Sequence, residues 1–398
     1  MRKYLVCAAL LAASVAGTPA VHAQGAMLSG VVYIDANGNG RRDPGERGLA
    51  NIAVSNQSAV VTTDANGSFK MPKGTTGVAF VSVPDGYRVV GSFWRRVGDT
   101  TSTVEFALAP IPPAPTFTFI HASDTHVAPA VLARTQRFRA MADSLDPAFV
   151  IVTGDLVRDA LRVGETEAIG YYEMFGREAA QFHSPVWTIP GNHENFGIER
   201  GQSKVAATHP LYGRAMYHYF RGPDYYSFTY GGVHFVGLNS VDIDDQWYYG
   251  HVDSLQLKWL ERDLALVPAS MPVVTFNHIP FFSSFDGVSG YREEPPAPTL
   301  ITINGKPQFR HVVSNAGDVL AILRKHRHVL ALGGHLHAGE HIEYDVDGLK
   351  TRFNQVAAIV GPSLGAGMQF TSGFTVYTVR NGVIDEGRFI PLGVDPKK

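Results

Sequence analysis

Between residues 117 and 337, five apolar runs each stop at a short cluster of histidine, aspartate or asparagine. They read "FTFIHASDTH" (117–126), "AFVIVTGD" (148–155), "VWTIPGNHE" (186–194), "VVTFNHIP" (273–280) and "VLALGGHLH" (329–337). A short continuous run of β-branched and aromatic residues is the mark of a strand buried on both faces. Helical spacing fills the gaps, as in "VLARTQRFRAMADSL" (131–145) and "DSLQLKWLERDLALV" (253–267), with Trp259 facing a core. Helices are also expected over 164–182 and 316–326. Strands alternating with helices predict an α/β domain whose sheets are covered on both faces. Residues 341–391 return to strand-like alternation and are expected to complete a second sheet against the first.

The polar clusters carry the chemistry. Ligands of open α/β sheets bind beyond the carboxyl ends of the strands, so five such ends converge on one place. They offer Asp124, His126, Asp155, Asn192, His193, His278, His335 and His337, all oxygen or imidazole donors. Such a set suits two hard or borderline divalent ions, Mn, Fe or Zn. In Asp124-x-His126 and His335-x-His337, alternate side chains leave a strand end on one side and can reach one ion. Asp155, at a middle strand end, can bridge two. Gly154, Gly191, Gly333 and Gly334 let the backbone approach closely.

The ordered series D-x-H, G-D, G-N-H-E, N-H and G-H-x-H resembles that of the calcineurin-like metallophosphoesterases, over about residues 117–342. The resemblance implies a four-layer αββα sandwich. It implies one ion on Asp124, His126, Asp155 and His337, and a second on Asp155, Asn192, His278 and His335. His193 would be the proton donor or phosphate contact rather than a ligand. Two ions roughly 3.5–4 Å apart activate a bridging water, whose hydroxide attacks phosphorus in line. Purple acid phosphatases carry a tyrosine three residues after the bridging aspartate. Arg158 stands there in this chain, so a tyrosinate ligand is not expected.

Residues 27–108 hold short alternating stretches separated by turns and predict a small all-β sandwich. Within it "DANGNGRRDPGE" (35–46) has the spacing of a calcium loop, offering Asp35, Asn37, Asn39, Arg41, Asp43 and Glu46. Strands flank it, so it is not an EF-hand, and a calcium ion here would stabilise the sandwich. This part resembles serine-aspartate B-repeat modules through that loop. Through "TTDANGSFKMP" (62–72) it resembles prealbumin-like domains. A proline-rich linker is expected over 109–116. Residues 1–23 have the charged start, apolar stretch and small-residue end of a secretory signal. The chain is therefore expected to be exported, to the periplasm or beyond, with no transmembrane segment after cleavage. Its one cysteine, Cys7, lies in that signal and cannot form an internal disulfide.

Long connections over 195–224 and 281–314 are expected to wall the substrate. Arg158, Phe281, Phe282, Tyr291 and Arg292 are the candidate contacts. The other histidines, His311 among them, are assigned ordinary surface or core roles. A net charge of −2 and no basic block argue against a nucleic-acid partner. The function expected is hydrolysis of phosphate mono- or diesters, the substrate open among nucleotide, lipid and cell-wall head groups. The competing reading is a secreted binding or adhesion protein on a non-catalytic scaffold. Oligomeric state is not legible.

Overall fold

Eight strands come first: β1 (Met27–Ile34), β2 (Ala53–Ser55), β3 (Val60–Thr62), β4 (Ser68–Pro72), β5 (Val78–Val81), β6 (Tyr87–Val90), β7 (Trp94–Arg96) and β8 (Thr103–Pro110). A computed structural model describes residues 26–293, 298–365 and 368–393. The segment 1–23 assigned to an export signal lies outside them. The strands form two four-stranded sheets, ordered β4-β1-β8-β6 and β3-β2-β5-β7. In β4 the residues Phe69 and Met71 are buried while their neighbours are exposed, the period-two pattern of a sheet wet on one face. Both point into the space between the sheets, with Leu28, Val54, Val81 and Phe106. Since β8 runs to Pro110 and β9 starts at Thr116, the linker is shorter than 109–116.

The second part begins with β9 (Thr116–Ala122), α1 (Leu132–Ser144), β10 (Phe149–Thr153), α2 (Glu165–Ala179), β11 (Val186–Ile189), α3 (Arg200–Ser203) and α4 (Arg214–Arg221). Next come β12 (Tyr226–Tyr230), β13 (Val233–Gly237), β14 (Val241–Asp244), β15 (Trp247–Gly250), α5 (Ser254–Leu264) and β16 (Pro272–Phe276). Then follow α6 (Phe285–Ser289), β17 (Leu300–Ile303), β18 (Lys306–Phe309), α7 (Ala316–Leu323) and β19 (Arg327–Gly333). The last are β20 (Glu340–Val346), β21 (Leu349–Gln355), β22 (Ser363–Gly365), β23 (Met368–Phe370), β24 (Gly373–Arg380), β25 (Val383–Ile384) and β26 (Arg388–Pro391).

Two six-stranded sheets result. One runs β11-β10-β9-β24-β25 with β26 on β24, and the other runs β12-β13-β16-β19-β21-β20. The doubly buried strands split their side chains between two layers. Phe119, Phe149 and Ile151 face the other sheet, while Ile120, Val150 and Val152 face α1 and α2 through Phe138, Tyr172 and Phe175. Each such side chain contributes about 1.5–3 kcal/mol of burial. On the far side α5 and α7 place Trp259, Leu260 and Val319 against the second sheet.

The expectation that 341–391 completes one sheet is corrected. Strands β20 and β21 join the second sheet, but β24, β25 and β26 join the first, where β24 pairs antiparallel with β9. The reason is patterning. Strand β24 is buried on both faces nearly throughout and fits an interior position, whereas β20 is largely exposed and suits an edge.

The sandwich is not held by its linker alone. Phe80 meets Tyr226 and Trp259 edge-on, both at 6.4 Å, and Phe93 lies 5.0 Å from Trp187. Thr229 N–H donates to the Val83 carbonyl at 2.8 Å, a strand bridge across the seam. Gln57 donates to buried Asp224 at 2.7 Å. Gly222, at φ 88°, lies so close under the Trp94 indole that a side chain there would collide with it.

Candidate metal centre

All eight expected residues lie just past the carboxyl ends of β9, β10, β11, β16 and β19. Five of them have left-handed backbone: Asp124 (φ 56°), His126 (41°), Asp155 (49°), His335 (73°) and His337 (55°). Non-glycine residues hold that conformation only where the surroundings impose it, and such strain gathers at functional sites. Here each tight turn swings a side chain inward from a strand end. Gly191 permits the packing, because a Cβ there would strike the Asp155 carboxylate.

Two donor groups form. Asp124, His126, Asp155 and His337 bring ligand atoms within 4.8 Å of one another, and Asp155, His278 and His335 do the same. Asp155 belongs to both. Its Oδ2 is 3.5 Å from His126 Nε2 and its Oδ1 is 3.2 Å from His278 Nε2. His337 Nε2 lies 3.2 Å from Asp124 Oδ1 and 3.2 Å from His126 Nε2. On the other side His278 Nε2 is 3.2 Å from His335 Nδ1 and 3.1 Å from Asn192 Oδ1.

A pair of cations fits this set. Imidazole nitrogens and carboxylate oxygens crowd together, and among the described residues Asp124 Oδ1 and His335 Nε2 are buried with no hydrogen-bond partner. Burying Asp155 alone would raise its pKa. The adjacent His278 and His193 outweigh that and hold it well below the usual carboxylate range. Burial first, then His278 and His311, push His335 well below the usual imidazole value, which keeps a ring lone pair available.

Glu194, within "GNHE", has a role that the sequence left unassigned. Its carboxylate is fully buried and accepts three backbone N–H bonds, from Asp155 at 2.9 Å, Val157 at 3.0 Å and Gly191 at 2.6 Å. It ties the β10 turn to the β11 turn and so sets two ligand strands relative to each other. Burial, then the Asp155 charge, pushes Glu194 up to about 8 against the pull of those N–H donors.

A cavity of about 710 Å³ opens over the centre. His193 lines it half-buried, with Nδ1 2.5 Å from the Arg158 carbonyl and Nε2 3.8 Å from Asp155 Oδ2. Of the candidate substrate contacts, Arg158 and Arg292 line the cavity. Phe281, Phe282 and Tyr291 do not. Phe281 is buried in the core, and Phe282 packs on Phe353 and Tyr344. Tyr291 is largely exposed and leans on Phe309. Apolar burial draws the two phenylalanines under β21 rather than toward a polar cavity. The connection over 195–224 is no simple wall either, since Met216 and Tyr217 of α4 are buried in the core. The connection over 281–314 does reach the cavity, through Asp286, Thr299 and His311, and Tyr248 comes from the β14–β15 hairpin. His311 was thus undervalued. Its place in a long insertion directly after His278 was the available signal.

The loop 35–46 closes on itself. Asp35 accepts from the N–H groups of Gly38, Asn39 and Gly40, and Asp43 accepts from the Asn37 and Asn39 amides. Glu46 caps Ala36 and Asp43 N–H, and Arg41 N–H donates to Asn39. Among the described residues, the loop is not one of the clusters whose ligand atoms converge.

Residues 117–339, more than half of the chain, match the family described as calcineurin-like phosphoesterase. Residues 36–110 match the one described as N terminal of calcineurin-like phosphoesterase. The 3′,5′-cyclic adenosine monophosphate phosphodiesterase CpdA of Escherichia coli K12 is 22% identical over 214 residues, 50% of this chain and 56% of that protein. The chain thus spans little more than half the length of this curated relative. Among solved structures, a dimetal phosphatase from Danio rerio is 16% identical with a TM-score of 0.43, covering 69% of this chain and 96% of that one. GAP50, the anchor in the inner membrane complex of Plasmodium, is 13% identical with a TM-score of 0.42, covering 70% and 85%.

Proposed function

The chain belongs to the calcineurin-like phosphoesterase family, and on that basis we propose that it is an exported hydrolase of phosphate mono- or diesters working with two divalent cations. One observation carries the reading: the two oxygens of Asp155 face two separate donor groups. Asp124, His126, Asp155 and His337 would hold one cation, and Asp155, Asn192, His278 and His335 the other. When bound, the pair supplies Lewis acidity and a nucleophilic hydroxide near neutral pH.

The chain's own groups do the rest. His193 Nδ1–H donates to the Arg158 carbonyl, which fixes the ring, and in its imidazolium form His193 would carry a second N–H at Nε2 to pass to the leaving oxygen. Arg158 and Arg292 line the cavity, and their positive charge favours an anionic substrate. Glu194 keeps Asp155 and Asn192 in register through backbone bonds. Export is supported by the composition of residues 1–23.

The test uses Mn-loaded protein with p-nitrophenyl phosphate, bis(p-nitrophenyl) phosphate and 3′,5′-cyclic AMP, the last because of the relative's name. Asp155→Ala and Asn192→Ala are expected to lose activity, the former by about 10³-fold. A fully metal-loaded protein that turns over no ester on a broad panel would leave the non-catalytic reading standing. A mature N-terminus near Gln24 in the exported fraction supports export. Recovery with Met1 intact from the cytoplasm overturns it.

A further inference from the structure

The metal cavity adjoins a second space of about 590 Å³, and Tyr248, Arg292 and His311 line both. Arg162, Arg310 and Glu199 complete the charged part of its wall, so three arginines share it with one carboxylate. That carboxylate is already engaged. Glu199 accepts from Arg162 Nη2 at 2.7 Å and from Nε at 2.9 Å. Arg162 also pairs with Asp159 of the metal cavity at 3.3 Å. Arg292 and Arg310 have no ion pair among the described residues. Glu293, beside Arg292, is exposed and lines neither space.

Arg310 is the unusual member. It is 6% exposed, and a buried charge is costly unless something answers it. Its Nη1 donates to the Pro298 carbonyl at 2.8 Å and its Nε to the Tyr248 carbonyl at 3.2 Å. The guanidinium carbon lies 4.1 Å from the Tyr248 ring centre and 5.2 Å from that of Trp247. These neutral partners hold the group in place without cancelling its charge, and Nη2 has no hydrogen bond among the described residues.

Buried Thr299 fixes the two unpaired arginines relative to each other. Its Oγ1 accepts the Arg292 N–H at 2.9 Å, its N–H donates to the Arg292 carbonyl at 2.8 Å, and its carbonyl accepts the Arg310 N–H at 2.9 Å. A clamp between the β14–β15 hairpin and the insertion after His278 would account for Arg310 alone. It leaves Arg292 unexplained, since that side chain has neither a hydrogen bond nor an ion pair among the described residues.

We propose that the side space binds a second, non-reacting anionic group of the substrate, a phosphate or a carboxylate, while the reacting phosphate sits at the metal centre. The inference rests on the phosphoesterase reading. Arg292, shared by both spaces, and Arg310 gain from that anion the counter-charge that the protein does not supply. A neutral or cationic group would leave the positive excess in place. The substrate class is then a phosphate ester that carries two anions.

The experiment compares butane-1,4-diol bisphosphate, 4-phosphooxybutanoate and 4-hydroxybutyl phosphate, with the hexane homologues covering a longer reach. All share the reacting phosphate and differ in the far group. With Mn-loaded full-length protein, kcat/KM is expected to favour the bisphosphate over the hydroxyl compound by at least about 10-fold, more than its two reacting ends account for. Because the far anion does not react, the gain falls in KM rather than in kcat. The carboxylate member separates a phosphate-selective site from one that takes either anion. Arg310→Gln removes the buried charge and is expected to pull the ratio toward one, while Arg310→Lys, which keeps it, retains more. Gln246 is exposed and lines the side space, so Gln246→Glu and Gln246→Lys change the charge there without touching the core. The first should lower the ratio and the second raise it, and this pair decides if the Arg310 variants do not fold. Calorimetric titration of butane-1,4-bisphosphonate and butylphosphonate reads the same preference without turnover. A ratio unmoved by Arg310→Gln and by both Gln246 variants marks a merely structural arginine and overturns the inference. So does a wild-type ratio near one at both chain lengths with p-nitrophenyl phosphate still hydrolysed, an outcome that leaves the phosphoesterase reading intact. Loss of all ester hydrolysis in wild type sinks that reading instead, and the calorimetric preference then decides this one.

Discussion

In the loop of residues 35–46 the charged oxygens are met by donors from the loop itself. At the strand ends around Asp155 the carboxylates face imidazoles, Asp124 Oδ1 lying 3.2 Å from His337 Nε2, and His335 Nε2 has no hydrogen-bond partner among the described residues. Both regions offer a cation-like donor set. The loop draws on a few neighbouring residues that can satisfy one another as soon as the turn forms. The strand-end set is drawn from five distant segments that cannot relax toward other partners, because the sheets hold them. Convergence imposed from outside is what leaves donors free for ions.

The same two regions differ in how they are held, and the largest expected effect tests that. Phe80 is buried in the sandwich but packs on Tyr226 and Trp259 of the α/β part. Phe80→Ala should cost about 3–5 kcal/mol and still leave one unfolding transition. Calorimetry that resolves an early transition confined to residues 27–108 would break the view of a shared core.

Next comes the strand-end clamp. Glu194→Gln keeps the volume but replaces one acceptor with a donor facing backbone N–H groups. It should lower kcat/KM by about 10–100-fold with unchanged circular dichroism. An unaltered rate would mean that the strands alone hold the two turns.

The seam has its own carboxylate. Burial alone would raise the pKa of Asp224. The adjacent His218, then Arg214 and Gln57, outweigh it and hold the group below the usual range. Its stabilising contribution is therefore full above the unfolded carboxylate value, declines as the pH falls toward the lower folded value, and is gone below that. Asp224→Asn should cost about 1.5–3 kcal/mol at pH 7 and a fraction less at pH 3, read as the shift in urea midpoint. Equal losses at both pH values would detach the effect from ionisation.

The smallest effect belongs to the loop. Added calcium should leave hydrogen exchange at Ala36, Gly38, Asn39, Gly40, Arg41 and Asp43 nearly unchanged, since those N–H groups already have partners. Strong new protection there would place an ion in the loop and erase the contrast.

Sequence reading reached the strand-end residues because each signal was local. An apolar run, a glycine and a polar cluster are visible within ten residues. It erred where placement depended on competition between faces. Phe281 and Phe282 looked like substrate contacts from their position after His278, yet apolar burial against β21 claimed them. The last strands looked like one group, yet β24 fits between layers and β20 fits an edge.

The sequence by itself determined which residues meet at the metal centre, because strand alternation and strand-end chemistry are short-range rules. Only the tertiary structure decided that Asp155 turns one oxygen to each donor group, since that needs a backbone at φ 49° and a neighbouring turn tied by Glu194. It alone decided, too, that Asp286 and His311, 25 residues apart, stand together over the centre. No local rule couples the two, and the packing of the insertion against the cavity does.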